Sequence, residues 1–378
     1  MSKSLIRAIP RRVLILLGIA TSLSTLFLIY KWIKRIFLRK HEPINQTAVK
    51  KEQSKPNSRV VIMSEFAGSY IGKELTPRTS RGFVVEVDSI NADALKVVAS
   101  EKQSFIITKD GDVYGCGDNT EGVFYETKKK QVYKPTKLHF VSNVIDLDAR
   151  HNRVVVLTSS GKVLQWGEGH SITQVPITKN IIKVFCTDKM YALSDDGELF
   201  EWNHLTKPVV DSCLTNVASC SFSDTHKVIL TKSGSVYTYE SFTKLSSPVL
   251  APLDKGVIQV AAGNGYYLAL MNSGEIYAWG DNSRMCLASK DPGAVANYIT
   301  IKGSPKSIGT CSDQYSYCLL QDGTILMWGK GLFGSLDFLF LGRADHSTPF
   351  VVQPPYDGFQ ISSVSFGDKH VMFLSDKV

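Results

Sequence analysis

Seven polar residues of mixed type recur at one position of a repeat and could form a chemical site. Each lies eight residues before a turn position, and the set is Gln103, Arg153, Lys189, His226, Tyr266, Tyr315 and His370. The two histidines could bind a metal or transfer protons. The mixture of side chains instead favours hydrogen bonds to backbone between neighbouring repeats, because a coordination sphere needs matched ligands. We therefore predict a structural ring and no metal site.

Acidic residues lie at the turns of the same repeat: Asp110, Asp112, Asp195, Asp196 and Asp322. Paired carboxylates can act as general acid and base. Asp is also a common residue of tight turns, because its side chain hydrogen-bonds the turn backbone. We favour the turn interpretation. Motifs of the forms GxxxxGK[ST], HExxH and GxSxG are missing from the sequence, so we predict no catalytic residue, no cofactor and no enzymatic activity.

The seven cysteines contain no CxxC pair and show no zinc-ligand spacing. They are predicted to be buried free thiols in a reducing compartment. The net charge of +8 comes from the N-terminus, since residues 1–41 hold nine basic residues and no acidic one. The remainder holds 34 basic and 35 acidic residues. A nucleic-acid-binding domain carries its own basic excess, so we predict no nucleic-acid partner.

A glycine-centred repeat positions these residues. Its turn glycines are Gly111, Gly161, Gly197, Gly234, Gly274 and Gly323. Five residues after them stand Cys116, Trp166, Trp202, Tyr239, Trp279 and Trp328, which include all four tryptophans outside the N-terminal segment. Such turns favour β-hairpins, and apolar residues on both faces of the second strand indicate burial on both faces. Blades of a β-propeller are covered in this way by their neighbours.

The seventh copy ends at its turn, with Leu374 four residues before the glycine position and Val378 on it. We predict that residues 59–68 complete this blade, with Val60 and Ile62 in the positions of Tyr114 and Cys116. Such closure removes exposed sheet edges. The predicted fold class is all-β, a seven-bladed β-propeller over residues 59–378 whose last blade is closed by an N-terminal strand.

One N-terminal transmembrane helix is predicted to precede the propeller. Residues 13–30 are uncharged and mostly apolar, and residues 32–37 extend this character, so 13–37 is the predicted single-pass anchor. A cleaved secretory signal is the alternative, although its apolar core would be shorter. Residues 1–12 form a basic tail like a mitochondrial targeting segment, and polar residues 38–58 form a flexible linker. Basic residues after the span place the propeller on the matrix or cytosolic side.

Residues 330–348 form an unusually apolar insert. Its candidate partner-docking residues are Leu336, Phe338, Leu339, Phe340 and Leu341. Large exposed apolar patches mark contact sites. The insert either packs on the propeller or docks a partner or the bilayer, and these alternatives remain open.

The repeat resembles that of the regulator of chromosome condensation family over about residues 58–378. The matching segments are CGDNTEG at 116–122, WGDN at 279–282, WGKGLFGSL at 328–336 and STPFVV at 347–352. The sequence departs from the family where Cys116 and Tyr239 replace Trp, and where Asn203 and Glu240 replace Gly. The third and fourth copies also lack the Gly-rich outer loop.

The architecture is similar to that of fungal mitochondrial inner-membrane members of this family, which are implicated in assembly of the respiratory cytochrome bc1 complex. This resemblance implies a protein-interaction scaffold of that membrane, with its propeller in the matrix. Its partners would be respiratory-complex subunits or assembly factors. The founding member of the family is an exchange factor, so guanine-nucleotide exchange on a small GTPase is the alternative function.

Overall fold

The computed structural model describes residues 57–64, 83–87, 89–124, 127–204, 206–211, 215–240, 247–253, 256–311, 315–330, 347–352 and 360–376. The chain divides into a unit at 1–54 and a unit at 55–378, and all described residues lie in the second. Within these ranges, no helix is long and apolar enough to cross a membrane. The predicted tail 1–12 and anchor 13–37 lie outside them, as do linker residues 38–56.

Seven four-stranded antiparallel sheets make up the described unit, and each sheet is one blade of a propeller. Blade 7 takes the first two strands of the chain, β1 (Ser58–Ser64) and β2 (Phe83–Glu86). Blade 1 contains β3 (Ala94–Ala99), β4 (Gln103–Thr108), β5 (Val113–Asp118) and β6 (Gln131–Lys137). Blade 2 contains β7 (Val144–Arg150), β8 (Arg153–Thr158), β9 (Val163–Gly167) and β10 (His170–Gln174). Blade 3 contains β11 (Ile181–Cys186), β12 (Met190–Ser194), β13 (Leu199–Trp202) and β14 (Val209–Val210).

The remaining blades repeat this order. Blade 4 contains β15 (Val217–Phe222), β16 (Lys227–Thr231), β17 (Val236–Tyr239) and β18 (Val249–Leu250). Blade 5 contains β19 (Val257–Ala262), β20 (Tyr266–Met271), β21 (Ile276–Gly280) and β22 (Ala296–Ile299). Blade 6 contains β23 (Pro305–Thr310), β24 (Tyr315–Leu320), β25 (Ile325–Gly329) and β26 (Phe350–Val352). Blade 7 begins with β27 (Gln360–Phe366) and β28 (His370–Asp376). The all-β, seven-bladed prediction is confirmed.

The first strand of each blade lies innermost: neighbouring first strands such as β7 and β11, β19 and β23, and β27 and β3 contact one another, and residues of first strands line a central channel. Because the strands in a blade alternate in direction, the turns between first and second strands lie on one face of the ring. The connections between third and fourth strands lie on this face too, termed the AB face. The turns between second and third strands, which carry the repeat glycines, lie on the opposite BC face.

Blade 7 joins the two ends of the described unit. Its strand order is β2–β1–β28–β27, and β1 pairs antiparallel with β28 along the whole strand. Six of the seven β1 residues are buried, which places this strand between other strands of the core. Both the first and the last strand of the unit are therefore needed to complete the ring.

The predicted register of β1 is wrong by one residue. Val60 pairs with Leu374, so Val61 and Met63 take the positions that Tyr114 and Cys116 hold in blade 1. A one-residue shift moves each side chain to the other face of the sheet. Since residues 60–64 are all buried, no alternation of polar and apolar residues marks either face.

Three of the repeated tryptophans join their blade to the one before it. The indole N–H of Trp166 donates to the Val123 carbonyl at 3.0 Å, and that of Trp328 donates to the Cys286 carbonyl at 2.7 Å. Trp202 donates in the same way to the Gln165 side chain at 2.7 Å. Each acceptor lies in the preceding blade or its outer connection. Buried indoles need such a partner, which explains the preference for Trp at this position.

Polar side chains of the innermost strands also join successive blades. Asp146 on β7 accepts a bond from the Val184 N–H on β11 at 3.0 Å. The Gln259 amide on β19 bonds both the N–H and the carbonyl of Ile308 on β23, at 3.0 and 2.9 Å. Further bonds of this kind join Ser365 to Ala99, Asp148 to Cys186, and Ser221 to Ala262. Together they satisfy backbone groups at the inner edges of the sheets.

Two kinds of glycine serve the repeat differently. The turn glycine Gly161 has φ +77° and open space where a Cβ would lie. Gly167, directly after Trp166, has φ +116°, and a Cβ there would lie 2.0 Å from the Asn152 carbonyl oxygen. Gly167 therefore permits a backbone approach that no side chain can accommodate.

Replacing Gly167 with Ala is expected to lower the free energy of unfolding by about 3 kcal/mol or more, from backbone strain and the Asn152 contact together. Gly161→Ala is the matched control, since it meets only the cost of a left-handed conformation, about 1–2 kcal/mol. Urea unfolding followed by tryptophan fluorescence measures both variants. Equal losses in the two would contradict the close approach at Gly167.

Candidate functional site

The candidate docking residues Leu336, Phe338, Leu339, Phe340 and Leu341 lie outside the described residues, within 331–346. The flanking residues Lys330 and Ser347 are described and belong to the connection between β25 and β26 on the AB face. The Lys330 N–H donates to the Arg284 carbonyl at 2.8 Å, which attaches the start of this connection to blade 5. The docking role of the insert remains a prediction.

The six repeat glycines all lie in second-to-third-strand turns and have φ between 77° and 93°. Of the four tryptophans at the shared position, Trp166, Trp202 and Trp328 are buried. Trp279 is partly buried and stacks on Tyr267, with ring centroids 5.3 Å apart. These residues hold the ring together and leave the exposed loops to other side chains.

The seven polar residues at the shared position begin, or directly precede, the second strand of each blade. Several contact the next blade: the Tyr266 hydroxyl donates to the Tyr315 carbonyl at 3.0 Å, and His226 Nδ1 accepts from the Gly265 N–H at 3.2 Å. His370 Nε2 lies 3.0 Å from the Ser104 hydroxyl of blade 1. These contacts are of the structural kind predicted from the sequence.

The turn acids form local bonds and ion pairs on the BC face. Asp112 pairs with Lys137 at 2.5 Å, and Asp196 pairs with Lys179 at 2.6 Å. Asp322 accepts from the Thr324 N–H at 2.9 Å. These contacts match the turn role expected for the acids.

A charged cluster crosses the AB-face mouth of the channel. Arg150 of blade 2 binds both carboxylate oxygens of Asp224 in blade 4, at 2.6 and 2.7 Å. His151 Nδ1 lies 2.6 Å from Glu101 of blade 1, and its Nε2 lies 3.3 Å from Asp188 of blade 3. Loops of four blades therefore meet through charged contacts. The bonds of Arg150 to Asp224 and of His151 Nδ1 to Glu101 are charge-assisted hydrogen bonds, the stronger kind, whereas Asp188 lies within ion-pair distance only.

Backbone geometry aims His151 into this cluster. His151 and Asn152 have φ of +49° and +59°, which is the pattern of a tight hairpin turn between β7 and β8. A histidine with positive φ is uncommon. The His151 N–H also donates to Glu101 at 3.0 Å, so Glu101 receives both the backbone and the side chain of this residue.

The cluster shifts the ionisation of its members. Contacts with Asp224 and Glu101 raise the pKa of His151 to about 10, so the imidazole is charged at neutral pH. Burial raises the pKa of Asp224, but bonds from His151 and Arg150 outweigh it and hold the value at about 2. The mouth thus carries permanent charges that compensate one another, which favours a fixed arrangement of loops.

The sequence contains a signal for this cluster at a second position of the repeat. Glu101, His151, Asp224 and Asp368 all lie ten residues before their turn positions. The repeat position two residues later holds both histidines that were considered as metal or proton-transfer groups. Charged residues that recur at one repeat position, on loops that face a common channel, indicate contacts across the ring.

The channel itself contains a cavity of about 530 Å³ lined by innermost strands. Its polar lining includes Asp148, Lys183, Gln259, Thr310 and Tyr317. Burial raises the pKa of Asp148, and the nearby positive charge of Lys96 lowers it only in part. The cavity lies in the size range of small-ligand pockets.

The buried thiols and histidines are poorly suited to nucleophilic or acid–base chemistry. Six cysteines are free and buried: Cys116, Cys186, Cys220, Cys286, Cys311 and Cys318. Burial raises the pKa of Cys220 and Cys318 to about 12, so these thiols stay protonated and weakly reactive. Burial lowers the pKa of His370 to about 4, so its ring is neutral. In the described ranges no group of three or more His, Cys, Asp or Glu side chains could hold a metal.

His151→Gln should make stability less dependent on pH above neutrality. Because the folded-state pKa of His151 lies above the ordinary 6.5, its stabilisation is complete below pH 6.5 and is lost as pH rises through about 10. The side chain is 36% exposed, so we expect only about 1–2 kcal/mol of advantage over His151→Gln at pH 6. Denaturant unfolding at pH 6 and 10.5 measures the difference in free energy of unfolding between the unmodified chain and His151→Gln. In a Glu101→Gln background this difference should be smaller. An advantage that persists at pH 10.5 would exclude the charged cluster as its source.

Two segments match the model of the regulator of chromosome condensation (RCC1) repeat, at residues 96–123 and 257–284. These segments run from the innermost strand into the Gly-rich outer connection of blades 1 and 5. They contain the CGDNTEG and WGDN sequences.

Related proteins share the repeat at low identity. The human E3 ubiquitin-protein ligase HERC2 is 26% identical over 315 residues, which cover 75% of this chain and 6% of HERC2. Protein pim1 of Schizosaccharomyces pombe is 25% identical over 311 residues, covering 64% of this chain and 57% of pim1. The chain thus spans only part of these relatives' lengths.

Among solved structures, Prp20p of Saccharomyces cerevisiae superposes with a TM-score of 0.69 at 18% identity. The match covers 86% of this chain and 92% of Prp20p, so it extends over the whole ring. The repeat matches and this superposition agree with the strand order described above. Two stretches of the chain, in blades 1 and 5, match the regulator of chromosome condensation repeat, and the described residues form a seven-bladed β-propeller.

Proposed function

We propose that this chain is a membrane-anchored protein-interaction scaffold of the mitochondrial inner membrane that acts in assembly of the respiratory cytochrome bc1 complex. The observation that carries the scaffold role is the charged cluster of Glu101, Arg150, His151, Asp188 and Asp224. It holds loops of four blades in one arrangement before any partner binds. Preorganised loops lower the entropic cost of association.

The membrane and compartment parts of the proposal draw support from the N-terminal sequence. The apolar run at 13–30 has nearly the length of a bilayer-spanning helix, and the tail before it is basic and without acids. Similarity to fungal mitochondrial members with the same order of segments suggests the assembly role. Basic residues after the run favour a propeller in the matrix.

In cells that lack the chain, we expect mature cytochrome bc1 complex to fall several-fold, while ATP synthase stays at its normal level. Blue native electrophoresis measures both complexes. Reintroducing the full chain should restore assembly, whereas a version without residues 13–30 should become extractable by alkaline carbonate and fail to rescue.

Protease protection in mitochondria and in mitoplasts gives the compartment and the side of the membrane. Digestion of the propeller in mitoplasts would contradict a matrix location. A normal amount of bc1 complex in cells lacking the chain would rule out the assembly role.

Guanine-nucleotide exchange is the second candidate function. The Prp20p structure was reported with its binding properties to Gsp1p and histones, and that protein has the same fold. Exchange needs a protein element that enters the nucleotide site of the GTPase. The 330–348 insert is the candidate for such an element in this chain.

The two functions differ in a direct assay with the purified full-length chain. Under the scaffold proposal, release of a fluorescent GDP analogue from Gsp1p and from a panel of mitochondrial small GTPases stays within about two-fold of the intrinsic rate, since no transition-state stabilisation is supplied. Release after chelation of Mg²⁺ by EDTA serves as the positive control, because loss of the metal weakens nucleotide binding. Acceleration of about 100-fold or more on any panel member would establish exchange instead.

A further inference from the structure

Every blade has a β-bulge at the same point of its innermost strand, where the channel opens on the BC face. In β7, for example, the pairing with β8 shifts between Val144 and Asp146 and leaves Ile145 without a partner residue. The seven bulged residues, termed the bulge ring, are Leu95, Ile145, Ile182, Ala218, Ile258, Lys306 and Ser362. All seven occupy the same position near the BC-face ends of the innermost strands, and a bulge re-aims the side chain that it carries.

Five consecutive members of this ring, one from each of blades 1 to 5, are apolar, and we term them the apolar arc. Leu95, Ile145, Ile182 and Ile258 are 45–56% exposed, and Ala218 completes the arc. Lys306 and Ser362 occupy the same backbone position, so bulge geometry does not require an aliphatic side chain. Aliphatic groups left in water add little to folding stability, whereas contiguous apolar exposure marks a contact surface.

Uncompensated positive charge lies beside the arc. Lys183 and Lys306 are exposed, and within the described residues neither has a carboxylate in ion-pair range. Lys306 Nζ donates to the Ser362 carbonyl at 2.9 Å, and Lys183 Nζ lies 5.1 Å from the Phe185 ring. Lys179 on the same face differs from these two lysines, because it forms an ion pair with Asp196.

The cavity of about 530 Å³ is lined by residues that directly follow the bulges, including Lys96, Lys183, Ser219 and Gln259, and it is large enough to hold a bulky side chain. Lys183, Ser219, Gln259 and Tyr317 line this space and offer polar contacts to the backbone of an inserted segment. An apolar centre surrounded by a polar rim is the usual anatomy of a protein interface.

We infer that the BC-face mouth binds an extended peptide segment of a partner protein, in which one or two bulky apolar side chains adjoin a carboxylate. The apolar side chains contact the arc, and the carboxylate pairs with Lys183 and Lys306. A lipid surface fits less well, because exposed acids of the rim such as Asp110 and Asp322 would approach anionic headgroups.

Strand β1 begins beside this mouth. The Ser58 N–H donates to Asp93 at 3.1 Å, and its hydroxyl accepts from the Ala94 N–H at 2.7 Å, next to Leu95. The peptide site does not rest on the proposed function.

The test uses the full-length chain in phosphatidylcholine nanodiscs and a pool of fluorescein-labelled octapeptides. Each peptide has two adjacent positions drawn from Leu, Ile and Phe, followed by Glu. We expect anisotropy to show saturable binding of this pool. Pools with Ser at both apolar positions should bind about 10-fold or more weakly, because they lose the buried anchors. Pools with Gln for Glu should lose about three-fold.

Substitutions in the ring locate the site. The double variant Ile145→Ser and Ile258→Ser should weaken binding about 10-fold or more, and Lys183→Gln about three-fold. The matched control is Val249→Ser with Leu250→Ser, since these residues are 56% and 59% exposed on the outermost strand of blade 4. The control should bind like the unmodified chain.

Equal weakening in the control, or equal binding of the serine and apolar pools, would overturn the proposal. So would quenching of an introduced Ile258→Trp, but not Val249→Trp, by brominated lipids, since the ring would then lie on the bilayer. These measurements use purified components. A failed bc1-assembly experiment would therefore remove the proposed function and leave the peptide site standing.

Discussion

The structure depends on one constraint: each blade is apolar on both faces, so each must be covered by a blade on either side. Fully buried side chains such as Phe105, Ile106 and Ile107 on β4 contribute to both faces of one sheet. Each such side chain is worth about 1.5–3 kcal/mol when it leaves water. An open array would leave two sheet faces in solvent, so the ring must close. Closure requires β1 to pair with β28, although more than 300 residues separate them.

The joints between blades are apolar in their middle and polar at both edges. At the AB face, Trp166 bonds back to blade 1, and Tyr266 bonds forward to blade 6. At the channel, Gln259 bonds the backbone of the next innermost strand. Between blades 3 and 4, Tyr191 stacks on Phe222 with centroids 4.1 Å apart. These directional contacts set the spacing that apolar burial alone would leave loose.

The two ends of the channel have opposite chemistry. At the AB face, Arg150 and Asp224 bridge blades 2 and 4, and compensated charges hold the loops across the mouth. At the BC face, exposed Ile145 and Ile258 surround the opening, and Lys306 beside them has no carboxylate partner in the part of the chain that the structure describes. A ring that repeats one backbone seven times thus presents two different surfaces, because loop and bulge positions tolerate any side chain.

The sequence alone determined what recurs in register along the chain: turn glycines, the Trp position, blade count and fold class. Each turn glycine depends on contacts within one hairpin, whereas an indole such as that of Trp166 bonds the preceding blade. Both features recur because equivalent places in a ring favour the same residue type. Tertiary structure decided the register of β1, because Val60, Val61 and Ile62 are all buried and no alternation distinguishes their faces. The tertiary structure also decided which positions of the repeat come together at the channel. The partners of Arg150 lie in other blades, and only closure of the ring brings those blades within hydrogen-bond distance.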